Sequence, residues 1–159
     1  MRRVFQIVSV LLLVGVVIQF YFAAFGAFTE PANDSQFILH QTNGRIVLPV
    51  LCLLVIGAAA LARAPGRLIG FSAIPLGLLA LQTVLIVVAA LAGSTDEHTN
   101  LAGQIILGLH GINGLAILGV TILLVRKASR FAAGMTGLAV TTPAAEPPAD
   151  QEPARPAAT

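Results

Sequence analysis

Four stretches of this chain consist almost entirely of apolar side chains: 4–28, 46–62, 68–91 and 101–125. A hydrocarbon core of ~30 Å takes roughly 20 helical residues to cross. Backbone groups in lipid must pair within their own segment, so long continuous apolar runs become helices. The pattern predicts an all-α fold with spans of about 4–28, 36–63, 68–92 and 96–127. Connections are short, which predicts an up-down-up-down bundle of two tandem helical hairpins. The bundle occupies 1–131; from 132 to 159 Ala, Pro, Thr and Glu replace the apolar residues, as expected of a disordered tail. The first run follows Arg2 and Arg3 as a secretory signal would. Its apolar stretch is about twice a signal's 7–15 residues, and it is read as a permanent helix.

Local signals place the ends and bends. Asp34 or Ser35 can cap the second helix, and Ser94-Thr95-Asp96-Glu97 has capping-box spacing, which starts the fourth helix before its apolar run. Pro49 and Pro75 lie inside spans and predict kinks. Arg2, Arg3, Arg63, Arg67, Arg126, Lys127 and Arg130 flank one end of the spans, whereas Glu30, Asp34, Asp96 and Glu97 flank the other. Positive charge stays inside, so the expectation is a multi-pass protein of the cell membrane with both termini cytoplasmic. Arg45 is the exception and is expected to snorkel outward or meet a counter-ion.

The polar residues within the spans repeat. The first and third spans each hold one glutamine, Gln19 and Gln82. The second and fourth each hold His-x-x-Asn-Gly, as His40, Asn43, Gly44 and His110, Asn113, Gly114. Histidine, asparagine and glycine at this spacing share one helix face. Two units of two spans would be related by an axis along the membrane normal. Stripes of polar and small residues then face a common interior: Gly15, Gln19, Ala23 and Gly26; Gln36, His40, Asn43 and Val47; Pro75, Gln82 and Ala89; Gly103, Leu107, His110, Gly114, Ile117 and Thr121. Counted from the basic end, Gln19, Gln82 and His110 lie 15–16 residues beyond Arg3, Arg67 and Arg126. His40 lies 23 beyond Arg63, which sets it roughly 10 Å higher at ~1.5 Å per residue.

Composition removes whole classes of function. Only 10% of the 159 residues are charged, against about 25% in a soluble domain. No basic or aromatic-basic cluster points to nucleic acid. The spans hold no Asp or Glu, so a carboxylate proton relay or dicarboxylate metal site has no material. Ser9 and Ser72 have no base at matching depth, and Met1 and Met135 lie outside the bundle, which argues against hydrolase and copper chemistry. Cys52 reads as a small buried hydrophobe and His98 as part of a solvated cap.

Three readings of the polar interior remain. In the first, His40 and His110 are axial ligands of a haem b held between bundle helices. Gly44 and Gly114 leave room for the ring, Gln19, Gln82, Asn43 and Asn113 orient the imidazoles or meet a propionate, and Arg45 meets propionates at the outer end. In the second, His110, Gln82 and Asn113 hydrogen-bond a quinone or another small hydrophobic ligand. In the third the layer only packs helices, in a non-enzymatic membrane subunit or scaffold. A membrane redox partner follows from the first two, and small residues such as Ala23 and Ala27 permit a homodimer.

The paired motifs, the two glutamines and the four-span layout resemble an uncharacterised family of small bacterial membrane proteins known only as a domain of unknown function. The resemblance covers about 4–128 and implies the fold, with no activity attached. More loosely, the arrangement is similar to four-helix haem-binding halves of bacterial haem-modifying and cytochrome b-like membrane proteins. That likeness implies His40 and His110 as haem ligands. With no acidic residue in the spans, the chain is expected not to be an enzyme by itself.

Overall fold

The computed structural model describes residues 1–31, 35–94 and 99–134. Among them the chain forms four long helices and no strand: α1 (Arg2–Ala27), α2 (Ile38–Leu61), α3 (Gly66–Leu91) and α4 (Leu101–Ala132). Each is long and apolar enough to cross a membrane. Large apolar side chains such as Leu53, Leu54 and Leu115 lie more than half exposed on the outside, as suits a bundle whose solvent is lipid. This is a multi-pass membrane bundle. α1 and α3 each pack on both α2 and α4, which closes a ring with α2 and α4 on one diagonal. Phe5 of α1 meets Phe131 of α4 edge to face, 6.3 Å between centroids, so α4 ends where α1 begins and neighbours run antiparallel.

The connections are closed by backbone geometry. After α2, Ala64 N–H donates to Ala59 O at 3.0 Å and Arg63 N–H to Ala60 O at 2.9 Å. After α3, Ser94 N–H donates to Ala89 O and Gly93 N–H to Ala90 O at 3.1 and 3.0 Å. Both are Schellman closures, in which one residue turns left-handed. Gly93 does so freely at φ 84°, whereas Arg63 holds φ 52° with a side chain to accommodate.

Two helix starts differ from expectation. α2 begins at Ile38, and its N-cap Phe37 supplies no side-chain cap; Asp34 lies outside the described residues. α4 begins at Leu101, not near 96, because Asn100 takes the capping role. Its Oδ1 accepts from Gly103 N–H at 2.8 Å while its Nδ2 donates to Ala92 O at 2.6 Å, tying the start of α4 to the end of α3. Thr95, Asp96, Glu97 and His98 lie outside the described residues, as does 135–159, the greater part of the expected tail. α4 continues to Ala132, beyond the expected 127.

Pro49 acts one turn upstream. Lacking an N–H and crowding the carbonyl four residues before it, a proline inside a helix forces the ladder to adjust. α2 adjusts by widening to a π turn over Asn43–Val47, where Leu48 N–H reaches Asn43 O. The extra residue rotates everything that follows. Val47, expected on the inner face, is exposed, and Leu48 is buried in its place. Pro75 is buried inside α3 with no such change of helix type. The remaining inner stripes hold, except that Leu107 is exposed.

The core at the basic end is apolar and close-packed, with Phe5, Leu12, Val55, Leu124 and Phe131 nearly or fully buried. Ser9, Ser72 and Thr121 are buried there too, each hydroxyl donating to the carbonyl four residues earlier on its own helix, at 2.7–2.8 Å. That bond removes the cost of a polar group among hydrocarbons. It also leaves these hydroxyls without a catalytic partner.

Candidate functional site

Toward the other end of the bundle the interior becomes polar, and each hairpin closes on a glutamine–asparagine clamp. In the first, Asn43 is buried on α2 and uses both amide hydrogens on α1: one to Gly15 O at 3.1 Å, one to Gln19 Oε1 at 2.7 Å. Gln19 Nε2 donates in turn to His40 O at 3.0 Å. In the second, Asn113 of α4 donates to Leu78 O at 2.9 Å and to Gln82 Oε1 at 2.5 Å, and Gln82 Nε2 donates to His110 O at 2.8 Å. Gly15 and Leu78 each stand four residues before their glutamine, so the two clamps make the same bonds at the same relative positions. In a membrane such polar contacts join helices that gain nothing from hydrophobic burial against one another.

The two imidazoles are treated differently. His40 Nδ1 lies 3.2 Å from Gln19 O, an oxygen that can only accept, so the ring carries its proton there. The opposite nitrogen, Nε2, then accepts from Gln19 Nε2, also at 3.2 Å. Phe37 stands edge-on to this ring at 6.5 Å. His110 is held more loosely: its buried Nδ1 makes no hydrogen bond of good geometry among the described residues, although the Gln82 backbone acts on the ring.

The rings nevertheless meet. From diagonal helices they approach to 6.3 Å between centroids, inclined at 52°. This corrects the depth count, which set His40 well above His110. The count failed at α2: Gln19 donates to the His40 carbonyl although the two were counted 16 and 23 residues from the basic end, whereas Gln82 and His110, counted level, do bond. The π turn also lowers His40, since it fits an extra residue into the same rise.

The glycines have unequal surroundings. A Cβ on Gly44 would fall 2.8 Å from Gln19 Nε2, so this glycine admits the clamp's amide. A Cβ on Gly114 would meet Phe20 and Gln82 at 3.5 and 3.7 Å, ordinary contact that admits a methyl group. Arg45 is exposed on α2. Asn100, Phe20 and Phe37 were not singled out by sequence reasoning. Asn100 had a signal, an asparagine directly before an apolar run; the two phenylalanines had none among so many apolar neighbours.

The donor set can be tested for fit. A metal shared by two imidazoles needs about 2 Å of bond and about 1 Å of ring on each side, roughly 6 Å between centroids, and the observed pair stands at 6.3 Å. A ligating histidine commonly donates its other ring N–H to a backbone carbonyl, as His40 does to Gln19 O. Against this, His40 Nε2 must leave the Gln19 amide before it can ligate. Among the described residues no cluster of three or more His, Cys, Asp or Glu could hold a metal ion without a macrocycle. Two surface hollows, one beside Tyr21, Phe25 and Phe28 and one beside Arg3, Ile7 and Val10, include neither histidine.

No curated protein and no solved structure matches the chain. A family model described as a family of unknown function, DUF6220, matches residues 19–91. That stretch begins at Gln19 and holds His40, Asn43 and Gln82, but stops short of α4 with His110 and Asn113. Over it the chain is similar to that family.

Proposed function

We propose that the protein is a membrane redox component that holds a haem b between His40 and His110. The observation that carries this reading is the approach of two imidazoles from diagonal helices to the spacing that one shared metal centre requires. The carbonyl of Gln19 orients His40, and the Gln19–Asn43 and Gln82–Asn113 clamps fix the helix faces that present both rings. A haem bound there supplies one-electron chemistry, its potential set by the two nitrogen ligands and a largely apolar shell. Arg45 is the candidate for a propionate.

The two hairpins are further proposed to be tandem repeats. Ser9 and Ser72 lie 63 residues apart, as do Gln19 and Gln82, while the His, Asn and Gly of the second motif each lie 70 beyond those of the first. The matching clamp bonds support the same reading. By the distribution of Arg and Lys, the basic end with both termini faces the cytoplasm.

The test is optical. The full chain expressed with ample haem should purify with a Soret band that His40→Ala and His110→Ala each abolish. A colourless protein that also gains no Soret band on addition of haemin overturns the proposal. If such protein instead carries extractable quinone that His110→Ala removes, the polar layer around His110 serves a quinone.

A second reading has its own support: Gln19 occupies both nitrogens of His40, and every polar group of the first clamp is satisfied within the protein. On that reading the layer only packs helices. His110→Leu would then lower stability slightly and leave no optical trace.

A further inference from the structure

Far from the histidines, α1 and α4 meet at the basic end, and the cations there are positioned by specific contacts. Arg3 Nη1 donates to Gln6 Oε1 at 3.4 Å, and Gln6 Nε2 donates across the seam to Ser129 Oγ of α4 at 3.2 Å. Arg2 stacks on Phe131 of α4, 4.7 Å from guanidinium carbon to ring centroid. Below Arg3 opens a hollow of about 320 Å³ whose walls pass from Arg3 and Gln6 to Ile7, Val10 and Leu11. Residues 3, 7, 10 and 11 fall on one stripe of α1, and the three apolar members are 40–57% exposed.

We propose that this hollow is a seat for one anionic phospholipid. Its phosphate meets the guanidinium of Arg3 and the amide of Gln6, and an acyl chain lies along Ile7, Val10 and Leu11. Charge decides the occupant. Among the described residues the only carboxylate side chain is Glu30, at the opposite end of the bundle, so no described carboxylate competes for Arg3. The hollow lined by Tyr21, Phe25, Phe28 and Glu30 offers the same apolar wall with a carboxylate and no cation, which disfavours an anionic headgroup. Seven cations crowd the basic end, and among them Arg3 stands over this apolar hollow with a polar partner fixed by another helix. A bidentate guanidinium–phosphate contact adds geometry to a charge attraction that any basic surface would have.

The experiment uses the delipidated full chain in neutral detergent, titrated with dioleoylphosphatidylglycerol or dioleoylphosphatidylcholine. Bound lipid is counted by native mass spectrometry. One phosphatidylglycerol should be retained under activation that strips phosphatidylcholine, and Arg3→Gln should weaken its retention about tenfold, as expected for one charge-assisted contact. Arg67→Gln removes an equal charge at the same end and should leave retention unchanged. Val10→Trp fills the hollow while keeping every cation and should also lower retention, which separates a seat from bulk charge. Equal retention of the two lipids overturns the proposal. So does equal loss in the Arg67 and Arg3 variants, or displacement of the bound lipid by inorganic phosphate alone.

Discussion

Replacing Gln19 by leucine removes an amide of similar size that bridges α1 and α2 by three side-chain bonds: two from its Nε2 to His40, at the ring and the carbonyl, and one to its Oε1 from Asn43. Gln82 bridges α3 and α4 by only two, to the His110 carbonyl and from Asn113. Interhelical hydrogen bonds in membranes average about 0.6 kcal/mol, with a maximum near 1.7. Gln19→Leu should therefore cost about 2 kcal/mol and Gln82→Leu about 1 kcal/mol. Asn43 keeps its bond to Gly15 O in the variant, which limits the damage. The assay is reversible unfolding of the full chain in mixed micelles, followed by helicity. A double-mutant cycle sharpens it. Gln19→Leu with Asn43→Leu should cost less than the sum of the two, since both remove the same bond, whereas Gln19→Leu with Gln82→Leu should be additive. Equal costs for the two glutamines, or no coupling between Gln19 and Asn43, would refute the bond count on which the site rests.

Other perturbations test the frame. Arg63→Gly relieves a left-handed residue, a strain of about 1 kcal/mol, and after the freedom glycine adds to the unfolded chain should still raise stability slightly in the same assay. Gly26→Ala should destabilise by about 1–3 kcal/mol, because the new Cβ would come within 2.7 Å of the Gln36 carbonyl, a backbone atom that cannot turn aside. Gly57→Ala, with nothing within 4 Å, is its control and should not destabilise. Asn100→Ala removes the cap of α4 and the tie to Ala92. It should cost about 1 kcal/mol and speed amide exchange in the first turn of α4.

The inner faces of α1 and α3 were legible because glycine, glutamine and proline recur at helical spacing in otherwise uniform apolar sequence. The inner face of α2 was legible only as far as Asn43. Beyond it the π turn shifts the stripe by one residue, and the proline that provokes it can be seen in the sequence without the form its relief takes. The start of α4 was misread because Ser94-Thr95-Asp96-Glu97 and Asn100 both carry capping chemistry. Proximity to the last carbonyl of α3 lets Asn100 serve both ends of the connection, and nearness in space is not written in spacing.

The sequence by itself determined that four helices cross a membrane, which end is basic, and which six side chains, Gln19, His40, Asn43, Gln82, His110 and Asn113, are too polar for lipid and must turn inward. Those outcomes follow from transfer free energy and helical period, both local properties of the chain. Tertiary structure alone decided that each asparagine closes on a glutamine of its own hairpin, that Gln19 engages both nitrogens of His40 while the His110 ring is held more loosely, and that the two rings approach to 6.3 Å. Those depend on how the helices of each hairpin pair and on one widened turn in α2. A shift of a few ångströms in either would leave every sequence motif intact and move the imidazoles out of each other's reach.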